Sequence, residues 1–229
     1  MLVDIVICTY NRSKFLKICL DALLPQFTLD LRRVVGVLIV DNNCKDDTVS
    51  VISEIQKTYP FVRHLQETKQ GNAYARNCGA MASEAEYICY LDDDGKPGDN
   101  YLRTLVHVLE SERPDFAGGP VFPYYLTDKP RWFKDEFEIR RYTPITGFID
   151  CWISGANFIG RRILLNELGG FSPDFGPVGS KFRSGSERFV IELYRKKRLP
   201  ADRRIYYCQD LFIYHYVPDD KMTVRYRLR

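Results

Sequence analysis

The chain of 229 residues predicts an α/β fold, a mainly parallel sheet with helices on both faces. Three observations carry that expectation. Short apolar runs alternate with segments of helical period through the first half. The runs are almost continuously apolar, as strands covered on both faces require. One of them, Tyr87 to Leu91, stops at three consecutive carboxylates, Asp92, Asp93 and Asp94. A strand end of that kind is where an open α/β sheet holds a ligand.

The elements follow in order. Leu2 to Cys8 reads as a strand and Ser13 to Leu24 as a helix, with Ser13 as N-cap and Pro25 at its stop. Val34 to Val40 is a second strand, Asp47 to Tyr59 a helix ended by Pro60, and Phe61 to Leu65 a short strand. Gly71 to Ala82 is a helix of small residues, Tyr87 to Leu91 the fourth strand, and Asn100 to Ser111 the next helix. The second half is less regular. Residues 118–123 and 129–133 read as ordered loop, and Phe148 to Ile159 as strands around Gly155. Arg161 to Leu168 and Ser186 to Lys197 read as helices, 173–185 as a Gly- and Pro-rich loop, and Ile205 to Cys208 and Leu211 to Tyr216 as closing strands. No repeat or low-complexity linker divides residues 1–229, so one domain with two functional halves, 1–115 and 116–229, is expected.

Composition excludes several classes. A hydrophobic fraction of 45% with 14% aromatics builds a real core. A net charge of +3 from 33 basic and 30 acidic residues argues against a nucleic-acid partner. Seven cysteines without a Cys-x-x-Cys pair look like small buried thiols of a reducing compartment. Asp4 interrupts the only early apolar stretch, and no run of about 20 apolar residues could span a bilayer. A cytoplasmic protein is expected. The basic clusters Arg195 to Arg198, Arg203-Arg204 and Arg225 to Arg229 read first as solvated surface. Peripheral contact with the inner, anionic membrane face or with a lipid-linked acceptor is the sharper alternative.

Three adjacent carboxylates repel one another and resist burial, so a cation should sit beside them. A hard divalent ion is the simplest candidate. The segment is no EF-hand, because Lys96 and Pro97 stand where a ligand and a glycine are needed and no terminal Glu follows. The loop Cys8-Thr-Tyr-Asn-Arg12 lacks the glycines of dinucleotide and P-loop sites but offers a hydroxyl, an aromatic face, an amide and a guanidinium. Asp41 ends the second strand, where it could accept from a base N–H or a ribose hydroxyl. Asp46 and Asp47 read as helix-start acids. Arg76 and Asn77 could point toward the same crevice, Arg76 toward a carboxylate or phosphate. His64 and His107 read as structural, whereas His215 in its aromatic run is equally ligand or core.

Thr9 to Arg12, Val40-Asp41, Ala75 to Asn77 and Leu91 to Asp94 stand in the order and spacing that resemble family 2 glycosyltransferases. Ser154 to Asn157 with Arg161-Arg162, Gly169 to Phe171, Gly185 to Glu187 and Tyr214 to Val217 extend the resemblance over almost the whole chain. It implies a GT-A type, Rossmann-like αβα sandwich and an inverting enzyme dependent on a nucleoside-diphosphate sugar. Thr9, Tyr10, Arg12 and Asp41 would hold the nucleotide, with Arg76, Asp92, Asp93 and Asn157 around ribose, phosphate and sugar. Asp94 and His215 would hold Mn²⁺ or Mg²⁺, Glu187 would be the catalytic base, and Trp152 would stack on a glycan or lipid-linked acceptor. Tyr124, Tyr125, Trp132 and Phe133 belong to the same aromatic lining, although core packing explains most such rings. Surface polysaccharide synthesis is the family's commonest role. The chain departs from many relatives at Arg188, where a second acid would follow the base. A sugar nucleotidyltransferase and a binding domain with impaired catalysis are the alternatives.

Overall fold

The structure, a computed structural model, describes residues 1–175 and 185–228, so the loop expected at 173–185 lies mostly outside the described residues. The first half runs β1 (Val3–Thr9), α1 (Ser13–Leu23), α2 (Leu31–Val34), β2 (Val35–Asp41), α3 (Thr48–Thr58), β3 (Val62–Gln66), α4 (Asn72–Met81), β4 (Tyr87–Asp92), β5 (Gly95–Pro97) and α5 (Tyr101–Ser111). The second half adds β6 (Phe116–Gly118), β7 (Val121–Tyr124), β8 (Gly147–Phe148), β9 (Asn157–Arg161), α6 (Arg162–Glu167), α7 (Ser186–Lys197), β10 (Ile205–Tyr207), β11 (Ile213–Tyr216) and α8 (Val224–Arg227).

Eight strands form one sheet in the order β3-β2-β1-β4-β9-β6-β10-β8. The first four are parallel, β9 runs antiparallel between β4 and β6, and β8 is an antiparallel edge. Strand alternation divides the core between the two faces. Val3, Ile5 and Ile7 of β1 pack with Leu16, Leu20 and Leu105 from α1 and α5. Val6, one pleat over, packs with Leu38, Val40 and residues of α4, α6 and α7.

The loop expected at 118–123 instead contains the end of β6 and most of β7. Such short strands escape sequence patterning, and Pro123 is tolerated because β7 is an edge of the small sheet β5-β11-β7. The strands expected across 148–159 are only β8 and β9, with an irregular segment at 149–156 that carries Gly155 toward the parallel strand ends. Ser13 does not cap α1; Arg12 holds that position. Asp46 does the work for two helices: its Oδ2 accepts from Ser13 N at 2.9 Å, and its Oδ1 accepts from Thr48 N at 3.2 Å.

Part of the basic C-terminal region is folded onto the body. Arg195 and Arg203 both pair with Asp150, at 2.8 and 2.5 Å. Arg227 pairs with Glu138 and stands over the rings of Phe133 and Phe137. No described helix is long and apolar enough to cross a membrane. The seven cysteines are free thiols, with Cys19, Cys89 and Cys208 buried.

Candidate active site

Parallel strands place their C-terminal ends on one edge. Strand order reverses at β1, which has β2 on one side and β4 on the other, and a crevice opens there. It widens into a cavity of about 740 Å³ lined by the β1–α1 loop, the end of β4, the Gly155 segment, the start of α7 and His215 of β11.

The β1–α1 loop is stapled in place. Asn11 takes a left-handed backbone (φ +52°), and its Oδ1 accepts from Lys45 N at 2.6 Å. This turn aims Arg12 back at the carboxylates. Its Nη1 donates to Asp93 Oδ1 at 3.0 Å and its Nη2 to Asp94 Oδ2 at 2.6 Å. Asp93 and Asp94 are both buried, and the guanidinium is the compensation that burial demands. Burial pushes the Asp93 carboxyl up to about 7, with Arg12 pulling down and Asp94 pushing up. At Asp92 burial also pushes upward but is outweighed by His215 and Arg76, which hold that carboxyl well below the usual range.

Arg76 of α4 is buried and lines the cavity, paired with a carboxylate as expected. Its Nη2 donates to Asp92 Oδ1 at 3.1 Å and to the Gly155 carbonyl at 2.9 Å, and its Nη1 to Ser186 Oγ at 3.4 Å. One guanidinium thereby joins the β4 end, the Gly155 segment and the first turn of α7. Asn77, next to it, fastens the backbone of Phe171 through both amide atoms, a structural task.

Asp92, Asp94 and His215 each offer one ligand atom, and these three atoms lie within 4.8 Å of one another. His215 Nε2 is 3.2 Å from Asp94 Oδ1 and 3.5 Å from Asp92 Oδ2. Burial alone would lower the imidazole pKa, but Asp94 and Asp92 outweigh it and raise it above its ordinary value. Among the described residues Asp94 Oδ1 is buried and accepts no well-aligned hydrogen bond, the His215 ring being its ion-pair neighbour. Two carboxylates and an imidazole converging on one point are what a cation would satisfy, so the residues fit a divalent ion.

Also in the cavity lining, Gly185 adopts a left-handed backbone (φ +105°) and starts α7. Glu187 follows in the first turn, its Oε2 3.4 Å from Ser186 Oγ. A Cβ on Gly155 would lie 3.0 Å from both Cδ and Oε2 of Glu187, so the bare glycine is what lets this carboxylate reach the cavity.

Of the other expected site residues, Thr9 and Tyr10 line the cavity, Thr9 with a buried hydroxyl beside the Asp93 carboxyl. Asp41, Asn157 and Trp152 do not line it. Asp41 accepts from Cys44 N at 2.7 Å, closing its own turn. Asn157 is fully buried, accepting from the Tyr101 hydroxyl at 2.6 Å and donating to the Leu211 carbonyl at 2.7 Å. Trp152 lies under two guanidinium groups, Arg188 at 5.1 Å and Arg195 at 4.3 Å. Asn42, Gln70, Arg140, Tyr142 and Lys221 line the cavity without having been singled out. Only Asn42 left a signal, the polar run Asp41 to Asn43 at a strand end; its Oδ1 accepts from Gly71 N at 2.8 Å.

A family model described as glycosyl transferase family 2 matches residues 4–177, and the chain belongs to that family. Among relatives, it is 26% identical over 205 residues to a glucosyl-dolichyl phosphate glucuronosyltransferase from Haloferax volcanii, an alignment covering 86% of this chain and 64% of that one. Among solved structures, S. aureus TarS 1-349 in complex with UDP-GlcNAc matches at a TM-score of 0.71 with 16% identity, over 95% of this chain and 59% of that one. The mannosyltransferase PcManGT from Pyrobaculum calidifontis, in complex with GDP-Man and Mn²⁺, matches at 0.67 with 22% identity, over 94% and 57%. The fold is of the GT-A type. The chain thus spans under two thirds of the length of each of these three proteins.

Proposed function

We propose that this chain is an inverting glycosyltransferase that moves a sugar from a nucleoside-diphosphate donor to a hydroxyl of a glycan or lipid-linked acceptor. The observation that carries the reading is one cavity lined by both the Asp92–Asp94–His215 cluster and Glu187. The donor belongs at the crevice between β1 and β4, where Thr9, Tyr10, Arg12 and Asn42 offer a hydroxyl, a ring, a cation and an amide. Asp92, Asp94 and His215 would hold Mn²⁺ or Mg²⁺, and the imidazole nitrogen tilts this donor set toward Mn²⁺. Such an ion supplies charge stabilisation to a departing diphosphate.

The chain's own residues do the rest. Glu187 takes the proton of the acceptor hydroxyl as that oxygen attacks the anomeric carbon in line, and no protein nucleophile is needed. Arg76 keeps Asp92 and the first turn of α7 in fixed relation. Residues 1–115 with His215 form the donor side, and 116–229 supply the base and the acceptor side. The Haloferax relative's name includes a dolichyl phosphate, which supports a lipid-linked acceptor, and a role in surface polysaccharide assembly follows from such chemistry.

Calorimetric titration of UDP, GDP and dTDP with Mn²⁺, Mg²⁺ or EDTA tests the reading on the intact chain and on Asp94→Ala. The expected result is metal-dependent binding of one nucleotide, lost in the variant. Absence of binding by all three nucleotides sinks the donor-site assignment.

A further inference from the structure

Arg188 stands directly after Glu187, where the resemblance leads one to expect an acid. Its guanidinium lies 5.1 Å over the Trp152 ring, and its side chain lines the cavity. The cavity's cations differ in one respect. Arg12 is matched by Asp93 and Asp94, Arg76 by Asp92, and Lys221 stands 4.0 Å from Glu138. Arg140 and Arg188 have no carboxylate within ion-pair distance among the described residues, and residues 176–184 contain no acid. Among the described residues the Arg140 side chain donates to Ser154 Oγ at 3.5 Å, and its charge also reaches Asp92 and His215. Arg195 also stands over Trp152, but Asp150 and Glu192 already match it.

Arg140 and Arg188 both line this cavity. Tyr142, also in the cavity wall, feels both guanidinium groups and the Glu187 carboxylate. Two unmatched cations and a phenol beside a carboxylate base form a receptor for an anion, and guanidinium prefers the fork geometry of phosphate. We infer that Arg140, Arg188 and Tyr142 form an acceptor subsite for a phosphate group carried close to the hydroxyl that Glu187 deprotonates. This rests on the glycosyltransferase reading and adds to it the acceptor's chemical class, a phosphorylated one. The basic residue after Glu187 is then a recognition group, and Trp152 is its support, holding the guanidinium flat through its ring face.

The test uses Trp152 as reporter. The chain has two tryptophans, so Trp132→Phe leaves Trp152 alone. Fluorescence of that variant is titrated with citronellyl phosphate, glycerol 3-phosphate and neutral citronellol, with and without saturating UDP or GDP and Mg²⁺. The expected result is a saturable change with a phosphate ester, retained when the nucleotide is present and absent with citronellol. Response to the prenyl ester alone identifies a lipid phosphate, and response to both esters a phosphate met on any carrier. Arg188→Gln and Arg140→Gln, each added to that variant, should weaken the response about tenfold or more, as loss of a charge-assisted contact requires. Nucleotide affinity should stay unchanged in Arg188→Gln. A response equal in both variants, or equal with citronellol, or no response to either ester, overturns the subsite. Nucleotide binding measured on the same sample separates that failure from failure of the glycosyltransferase reading itself.

Discussion

Replacing Arg76 with Met removes the one guanidinium that joins Asp92, the Gly155 carbonyl and Ser186. Methionine keeps much of the apolar stem against the Tyr90 and Phe171 rings, which now lie 5.7 and 5.1 Å from the guanidinium carbon. The loss is therefore chiefly one of charge and hydrogen bonds. Removing one partner of a buried pair costs about 3–5 kcal/mol, because the other charge is left uncompensated. The Asp92 side chain is 32% exposed and keeps His215 3.5 Å from its Oδ2, so water and the imidazole offset part of that loss and the lower end, about 3 kcal/mol, is expected. For a chain of 229 residues this lowers the melting temperature by about 6–12 °C. Activity should fall further than stability explains, because Glu187 loses the tie that fixes its turn of helix against the Gly155 segment. A displacement on the order of 1 Å at a reacting group costs roughly a hundredfold in turnover. Arg76→Lys, which keeps the charge but cannot span three partners, should fall between. The assays are urea unfolding and steady-state turnover on the same preparations. Stability within about 0.5 kcal/mol of the parent, with turnover intact, would refute the reasoning.

Other perturbations separate the roles of neighbouring residues. Gly155→Ala places a Cβ 3.0 Å from the Glu187 carboxylate; turnover should drop about tenfold while unfolding free energy moves by less than about 1 kcal/mol, as paired kinetics and denaturation would show. Because His215 titrates above its ordinary value, a proton must leave before it can ligate. Mn²⁺ affinity should therefore rise about tenfold per pH unit below that pKa and level off above it, and His215→Gln should flatten the profile in a Mn²⁺ titration. Asn157→Ala leaves the Tyr101 hydroxyl and the Leu211 carbonyl without their buried partner; about 2–4 kcal/mol of stability should be lost with nucleotide affinity unchanged, and lost affinity at full stability would return Asn157 to the donor site.

The first half of the fold was legible because each apolar run there is long enough to show its pattern. Bounds such as Val34 to Val40 against the observed Val35–Asp41 differ by one residue. Strands β6 and β7 were not legible, since Gly118 and Pro123 mark loops in sequence and only pairing with β9, β10 and β11 makes strands of them. The site divides in the same way. A carboxylate triplet at a strand end declares itself, and so does a Glu that opens a helix after glycine. Which way a side chain turns at a strand start does not; Asn157 lies one residue past a cavity-lining alanine yet points into the core. Arg140 carried no local signal, because its place in the wall comes from a single backbone bridge to Val121 across 19 positions of chain.

Glu187→Gln is the most direct test of the central claim that one carboxylate in the cavity of the Asp92–Asp94–His215 cluster acts as base. The variant keeps the shape and hydrogen-bonding reach of the side chain but cannot accept the acceptor's proton. Transfer should be measured with the sugar donor of whichever nucleotide binds, alongside calorimetric affinity for that nucleotide and Mn²⁺. Turnover reduced by about 10²–10⁴ with affinity unchanged is the predicted result. Turnover preserved in the variant would contradict the account and move the base to another carboxylate.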